Sequence, residues 1–368
     1  MSSEVFIDHS SERIGQAIVK VVGIGGGGCN AVTRMYHERI LGVEYMAVNT
    51  DAQHLMQLDV PTKIRVGDKL TRGLGVGGNP DIGRDSAEES RDELYEATRG
   101  SDMVFVAAGM GGGTGTGACP VVAEIAKESG ALTIAVVTKP FSFEGHRRKK
   151  QAEDGINLLR DRVDSLIVIP NDRLLDMCEE NVTTEQAFRL ADDVLRQAVQ
   201  AIAELVTISG TINLDFADVK SIMSGAGPAW MAIGTGTGED RAVEAARAAI
   251  NSPLLDVSIE GAKGVLLNVA GGADLTMHEV QKAAAEIEEM VDPNVNLIFG
   301  MVQDLKLEDE VRVTIIATGF PGVDAFIPEE ELIWEQLSLN APNGEDDLDV
   351  PPFLRRHPTL RRRARQGL

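Results

Sequence analysis

Residues 103–117 read Met103-Val104-Phe105-Val106-Ala107-Ala108-Gly109-Met110-Gly111-Gly112-Gly113-Thr114-Gly115-Thr116-Gly117. An uninterrupted apolar run is followed by nine residues of which six are glycine. The run has the length and composition of a buried strand. The chain then opens into a loop almost without side chains, ahead of a helix expected from about Ala118. Such a loop lets backbone N–H groups approach an anion closely, and the helix that follows adds its positive end. Thr114 and Thr116 supply hydroxyls with little bulk. The pattern predicts a phosphate cradle, since a flexible linker would not be clamped between a buried strand and a helix.

The same alternation extends outward. Val/Ile-rich runs at 18–24, 43–48, 102–108, 131–138 and 165–169 read as parallel strands buried on both faces. Helical patterns fill the gaps near 29–40, 80–99, 118–129 and 145–162, the second opened by an Asn79 cap, Pro80 at the first helical position and Asp81 in the first turn. This predicts a doubly wound α/β sheet, Rossmann-like, with ligands at the carboxyl ends of its strands. A long core helix is expected over 184–207, with the stripe Phe188, Ala191, Leu195, Ala198, Ile202, Leu205. Residues 225–330 read as a smaller α+β domain with strands at 228–234, 264–270, 295–302 and 311–318 and helices near 239–250 and 276–291. The expected organisation is an N-terminal arm (1–17), a nucleotide domain (18–183), the core helix (184–207), a loop and helix (208–224), the α+β domain (225–330) and a flexible tail (331–368).

Composition removes several classes of function. The 368 residues carry 35 Lys+Arg against 57 Asp+Glu, a net charge of −22, which argues against a nucleic-acid binder. An acidic excess spread along the chain suits a salt-rich cytoplasm, and stability that rises with added KCl is its expected mark. Cys29, Cys119 and Cys178 are far apart, form no CxxC or His/Cys cluster, and read as free intracellular thiols. No basic-then-apolar leader opens the sequence and no apolar run reaches about 18 residues, so neither a signal peptide nor a membrane span is expected.

Two more glycine loops precede helices. Gly23-Ile24-Gly25-Gly26-Gly27-Gly28 follows the first strand, and Gly73-Leu74-Gly75-Val76-Gly77-Gly78-Asn79-Pro80 leads into the helix at 80. The first could serve a dinucleotide, with Asp51 placed to hold a ribose, as in an NAD-dependent dehydrogenase. Three such loops on one sheet exceed a dinucleotide's needs and suit a triphosphate. No Gly-Lys-Ser/Thr ends any of them, so this is not a P-loop NTPase.

Asp215 and Asp218 stand three apart at an expected helix start. They fit helix capping, and they equally fit a pair that polarises a water. Phe188 on spacing alone fits the core, and Asp193, beside Asp192, fits a solvated face.

Several segments resemble the FtsZ family, the prokaryotic relatives of tubulin. They are Gly111-Gly112-Gly113-Thr114-Gly115-Thr116-Gly117, Ala47-Val48-Asn49-Thr50-Asp51-Ala52-Gln53, Lys139-Pro140-Phe141-Ser142-Phe143-Glu144-Gly145, Pro170-Asn171-Asp172 and Asn213-Leu214-Asp215-Phe216-Ala217-Asp218-Val219. The resemblance covers roughly residues 15–330, plus a tail peptide. It implies a cytoplasmic GTPase of the tubulin/FtsZ fold that forms head-to-tail filaments at the mid-cell division ring. It implies GTP or GDP bound with Mg²⁺, with K⁺ as a further candidate ion and no direct side-chain metal ligand. Nucleotide contacts would come from Gly25, Gly26, Gly27, Gly28, Asn30, Asn49, Asp51, Gly77, Gly78, Gly111, Gly112, Gly113, Thr114, Gly115, Thr116 and Gly117. Glu144, Arg148 and Asn171 would hold the ribose, Phe188 would stack on the base, and Asp193 would accept from the guanine N1–H and 2-amino group. Asn213, Asp215 and Asp218 would be catalytic. A core helix of roughly 35 Å places these acids beyond reach of their own subunit's phosphates, so they would act in trans on a neighbour, and contacts of that kind build open filaments.

The tail segment Asp347-Leu348-Asp349-Val350-Pro351-Pro352-Phe353-Leu354-Arg355-Arg356 resembles the family's peptide for membrane-tethering and regulatory division proteins. One departure is Ser209-Gly210-Thr211, where many family members carry a proline and an apolar residue, which leaves the turnover rate open. The other reading within this fold is a paralogous scaffold or cell-shape protein with slow GTP turnover.

Overall fold

Runs of valine, isoleucine and alanine set the frame of the computed structural model, which describes residues 17–320 except 41, 177, 179–181, 208–214, 255–258 and 305. Six parallel strands, β1 (Val19–Ile24), β2 (Val43–Asn49), β3 (Thr62–Arg65), β4 (Met103–Gly109), β5 (Leu132–Lys139) and β6 (Ser165–Pro170), lie in the order β3-β2-β1-β4-β5-β6. Every residue of β4 before Gly109 is buried, as expected of a central strand covered on both faces. The sheet continues through β7 (Gly227–Thr237), whose first residues pair in parallel with Ser165–Ile167. Beyond it lie β10 (Glu310–Thr318), β8 (Gly264–Gly271) and β9 (Asn296–Gln303), with β10 antiparallel to both of its neighbours. The two halves of the chain thus share one ten-stranded sheet. The four-residue edge strand β3 was not expected: only Ile64 in it is buried, so it has no apolar run to read.

Helices fill the connections. In the parallel half they are α1 (Gly25–Glu38), α2 (Ala52–Gln57), α3 (Asp68–Thr71), α4 (Pro80–Glu89), α5 (Arg91–Thr98), α6 (Thr114–Glu128), α7 (His146–Arg160) and α8 (Asn171–Leu175). The helix expected at 80–99 is two, α4 and α5, meeting at Ser90. Two starts differ from expectation for one reason. α1 begins at Gly25 rather than near 29, and α6 at Thr114 rather than near 118. The glycines themselves form the first helical turns, where the N–H groups have no partner inside the helix. As expected, Asn79 caps α4, its Oδ1 accepting from Asp81 N at 3.0 Å.

The core helix α9 (Thr184–Thr207) has 24 residues, about 36 Å at 1.5 Å per residue. It leads to α10 (Phe216–Met223), and α11 (Arg241–Ile250) and α12 (Met277–Glu288) complete the set. α9 is covered from both halves. Ala191, Leu195, Ala198 and Ile202 share one apolar cluster with Val32 and Met35 of α1 and with Leu266 and Ile316 of β8 and β10. The neighbouring residues Val265, Leu267 and Ile315 point to the opposite face, against Ala245 and Val280 of α11 and α12. This is the period-two alternation of a strand packed on both sides.

One buried carboxyl in this packing yields a prediction. Glu204 of α9 is 7 % exposed; its Oε1 accepts from Gln200 Nε2 at 2.6 Å while Oε2 has no partner among the described residues. Asn268 of β8 donates to Ala201 O at 3.1 Å, and its Oδ1 is likewise unpaired. Burial pushes the Glu204 carboxyl above its ordinary value of 4.5, against a partial offset from Gln200 and Arg312. A carboxyl raised by folding costs stability as pH rises from that ordinary value through the folded one. Glu204→Gln is therefore expected to stabilise the fold by about 1 kcal/mol near neutral pH and to be about neutral near pH 4. Urea unfolding at both pH values checks this, and an equal change at both would contradict it.

Candidate functional site

The carboxyl ends of β1, β2, β4, β5 and β6 surround a cavity of about 640 Å³. Its floor is where two glycine loops meet. A Cβ on Gly25 would stand 2.6 Å from Gly115 N, and one on Gly115 would stand 2.6 Å from Gly109 O. Backbones can approach this closely only without side chains. The first turns of α1 and α6 therefore point their free N–H groups into one space, which is what an anion requires. Gly26 and Gly112, by contrast, have open space where a Cβ would be, and both line the cavity.

Hydroxyls and amides fix the wall. Thr114 Oγ1 and Thr50 Oγ1 are 2.7 Å apart, and Gly111 N donates to Thr116 Oγ1 at 2.8 Å. Asn49 Oδ1 accepts from Thr50 N at 2.9 Å, and Asp51 Oδ1 caps α2 by accepting from His54 N at 3.1 Å. His54 bridges Asn49 Nδ2 and Asn30 Oδ1, each at 3.0 Å. At the mouth, Arg148 Nη1 donates to Glu144 Oε2 at 2.5 Å. Asn171 opens α8, is 4 % exposed, and its Oδ1 has no partner among the described residues. A buried acceptor left open at a cavity wall can take a donor from a ligand or an ordered water.

Of the residues expected to bind nucleotide, the cavity gathers Gly26, Gly27, Asn49, Asp51, Gly77, Gly78, Gly112, Gly113, Thr114, Gly115, Glu144, Arg148, Asn171 and Phe188. It does not gather Gly25, Gly28, Asn30, Gly111, Thr116, Gly117 or Asp193. Most of these support the wall from behind. A Cβ on Gly28 would meet Ala107 O at 2.2 Å, and one on Gly117 would meet Pro80 O at 1.9 Å, so these two glycines let helices pack. Asp193 faces along its own helix, accepting from Arg196 Nε at 2.7 Å and Gln197 Nε2 at 2.6 Å. Its neighbour Asp192 lines the cavity with Ala191 and Leu195. Phe188, at the end of the stripe expected to be core, is 41 % exposed and meets the ring of Phe141 edge-on at 5.3 Å. Thr50, His54, Thr138 and Asp192 are polar wall residues that were not among the expected contacts. Thr50 lies between Asn49 and Asp51 and His54 follows three residues later, which was the signal available.

The pair Asp215 and Asp218 lies at the other edge of the sheet. Asp215 caps α10: its Oδ1 accepts from Asp218 N at 2.9 Å, while Asp218 Oδ2 accepts from Asp215 N at 3.3 Å. The end of α10 is pinned to the amino end of β6, where Ser165 Oγ donates to Met223 O at 2.6 Å. The cavity sits at the opposite end of that strand, past Pro170. α9 spans the same distance: Phe188 and Asp192 line the cavity, while Thr207 packs against Gly42, just before β2 begins. Asn213 lies outside the described residues.

Glycine turns gathered on the carboxyl edge of a parallel sheet, with a core helix running from them to a second α+β half, define a nucleotide-binding protein of the tubulin class. Residues 18–179 match the model of the Tubulin/FtsZ family, GTPase domain, and residues 227–321 match that of the FtsZ family, C-terminal domain. A solved FtsZ dimer from M. jannaschii, described as empty, is 48% identical, with a TM-score of 0.81 over 84% of this chain and 90% of that one. The chain belongs to the FtsZ family. More distant likenesses are to CetZ2 of Haloferax volcanii, a GTPγS-bound protofilament (18% identity, TM-score 0.72, 87% and 98% covered), and to its CetZ1, a GDP-bound monomer (23%, 0.72, 88% and 99%). At those identities they share the fold alone. The GTPase domain implies binding of GTP and GDP. Among the described residues no helix is long and apolar enough to cross a membrane.

Proposed function

We propose that the protein assembles head to tail and hydrolyses GTP at each joint between subunits, as a division-ring scaffold at mid-cell. The observation that carries this reading is that the cavity and the pair Asp215/Asp218 occupy opposite edges of one sheet. Acids so placed can meet a nucleotide only on another copy, and repetition of that contact gives an open filament. The 48% identical FtsZ is described as a dimer, and the CetZ2 structure as a protofilament.

Within the cavity the N–H groups of Gly26, Gly27 and Gly112–Gly115 would take the phosphates, where preorganised donors stabilise the charge that develops on phosphoryl transfer to water. Asn171 Oδ1, Glu144 and Arg148 would take the ribose, and Phe188 the face of the base. The guanine edge falls to Asp192 rather than Asp193, because Asp193 is bound to Arg196 and Gln197. An ionised carboxylate accepts from N1–H and the 2-amino group together, whereas adenine offers no such pair. Each acid of the Asp215/Asp218 pair uses one carboxylate oxygen in the capping exchange, so among the described residues the other is available to orient the attacking water. Asn213, outside the described residues, would share the catalytic role.

Among the described residues no three His, Cys, Asp or Glu side chains gather to hold a metal ion. The donor set of backbone amides and threonine hydroxyls fits phosphates, and Mg²⁺, with K⁺ as a further candidate, would be held through phosphate oxygens and neutralise their charge. Partner docking is assigned to residues 347–356, outside the described residues. The experiment is sedimentation of the full chain with Mg²⁺ and either GTP or GDP: filaments that pellet with GTP alone support the reading, and equal pelleting with both would sink it.

A further inference from the structure

Asp192 is held from across a helix interface. Arg34, in α1, places its Nε 3.2 Å from Asp192 Oδ2, the two side chains being 41 % and 14 % exposed. This is the sole ion pair of Asp192 among the described residues. Asp192 lines the cavity, whereas Arg34 does not.

We propose that Arg34 is a positioning residue for base selection, holding one oxygen of Asp192 so that the other is presented to the guanine edge. The inference rests on the reading that Asp192 takes that edge. Guanine offers two donors there, so the carboxyl must be ionised: a protonated one would set its own donor against them. Burial works the other way and pushes Asp192 up to about 6, with Asp193 adding to the rise and Arg34 opposing it. Arg34 therefore keeps the selecting group charged at neutral pH.

The other charged groups around α9 are engaged elsewhere or stand off. Asp193 is bound to Arg196 and Gln197, and Glu38 of α1 to Lys306 at 2.7 Å. Glu144 and Arg148 pair with each other, Asp51 caps α2, and His54 sits between Asn30 and Asn49. Lys139 ends β5 and Arg173 lies in α8, each with interactions of its own. None of these replaces Arg34 at Asp192. Without the guanidinium, desolvation acts unopposed, and buried carboxyls can reach about 8–9.

The test is the ratio of GTP to ATP affinity in the full-length protein as a function of pH. The ratio cancels titration of the phosphates, and comparison with the wild type cancels His54. In the wild type the ratio should be flat above about pH 7, because Asp192 is then ionised. In Arg34→Met it should be about tenfold lower or more near pH 7 and climb back by up to tenfold per pH unit towards about pH 8.5. Arg34→Lys should keep a profile close to the wild type, because it restores the charge. Arg34→Gln serves the same comparison if the methionine variant melts early. A ratio unchanged by loss of the charge, or lowered by one constant factor at every pH, overturns the proposal, the second outcome marking a merely structural role. The underlying reading is tested separately. Asp192→Asn should exchange preference for GTP for preference for XTP, since an amide can donate to the 2-oxo group of xanthine. If that variant still prefers GTP, the reading of Asp192 fails whatever Arg34 does.

Discussion

Asp218→Ala is expected to lower GTP turnover by about 10²–10⁴-fold, the range for loss of a group that positions or activates the attacking water. GTP affinity should be unchanged, because Asp218 is at the amino edge of the sheet and the cavity at the carboxyl edge. The variant also removes half of the capping exchange with Asp215, so α10 loses about 1 kcal/mol of support. Filaments of the variant should form with GTP and persist, since in the proposed mechanism hydrolysis loosens the joint. Turnover, equilibrium GTP binding and sedimentation measured on one preparation separate these effects. A fall in GTP affinity matching the fall in turnover would show that the acid belongs to its own subunit's pocket.

The second large effect distinguishes glycines that make room for the ligand from glycines that make room for the protein. Gly112 lines the cavity, and a Cβ there would meet no protein atom within 4 Å. Gly112→Ala should fold with little change in stability yet bind GTP at least about tenfold more weakly, because the methyl enters the space proposed for the phosphates, and tenfold corresponds to about 1.4 kcal/mol. Gly28 belongs to the other glycine loop, in the first turn of α1, and a Cβ there would press on Ala107 O at 2.2 Å. Backbone cannot yield as a flexible side chain can, so Gly28→Ala should destabilise the protein by ~3 kcal/mol. Thermal melting and nucleotide titration of the two variants should give opposite rankings. If both lost only stability, the cavity would not be the phosphate site.

The frame was legible because parallel strands buried on both faces leave uninterrupted apolar runs: β1, β2, β4, β5 and β6 fall within a residue or two of those runs. β3 left no such run, with one buried residue of four. The starts of α1 and α6 were hidden because glycine carries no helical pattern even when it forms the first turn. Within the site, the loops were legible as loops, but the division of labour among their glycines was not. Gly26 and Gly28 look alike in a sequence; only the distance from an imagined Cβ to the next backbone tells them apart.

Asp192 and Asp193 show the same limit for side chains. Consecutive helical residues point about 100° apart, so one of the two faces the cavity and the other turns away from it. Which one depends on Arg34 of α1 and on Arg196 and Gln197 further along α9. Arg34 is far from α9 in sequence and shows no pattern that would pair it with either aspartate.

The separation of cavity and acids is the centre of this account, and GTP hydrolysed per subunit against protein concentration tests it most directly. With Mg²⁺ and high KCl present, the specific rate should be near zero below a threshold concentration and rise sharply above it, as the proposed completion of each site by a neighbour requires. A specific rate independent of concentration would mean that each subunit carries a whole site, and would contradict the account.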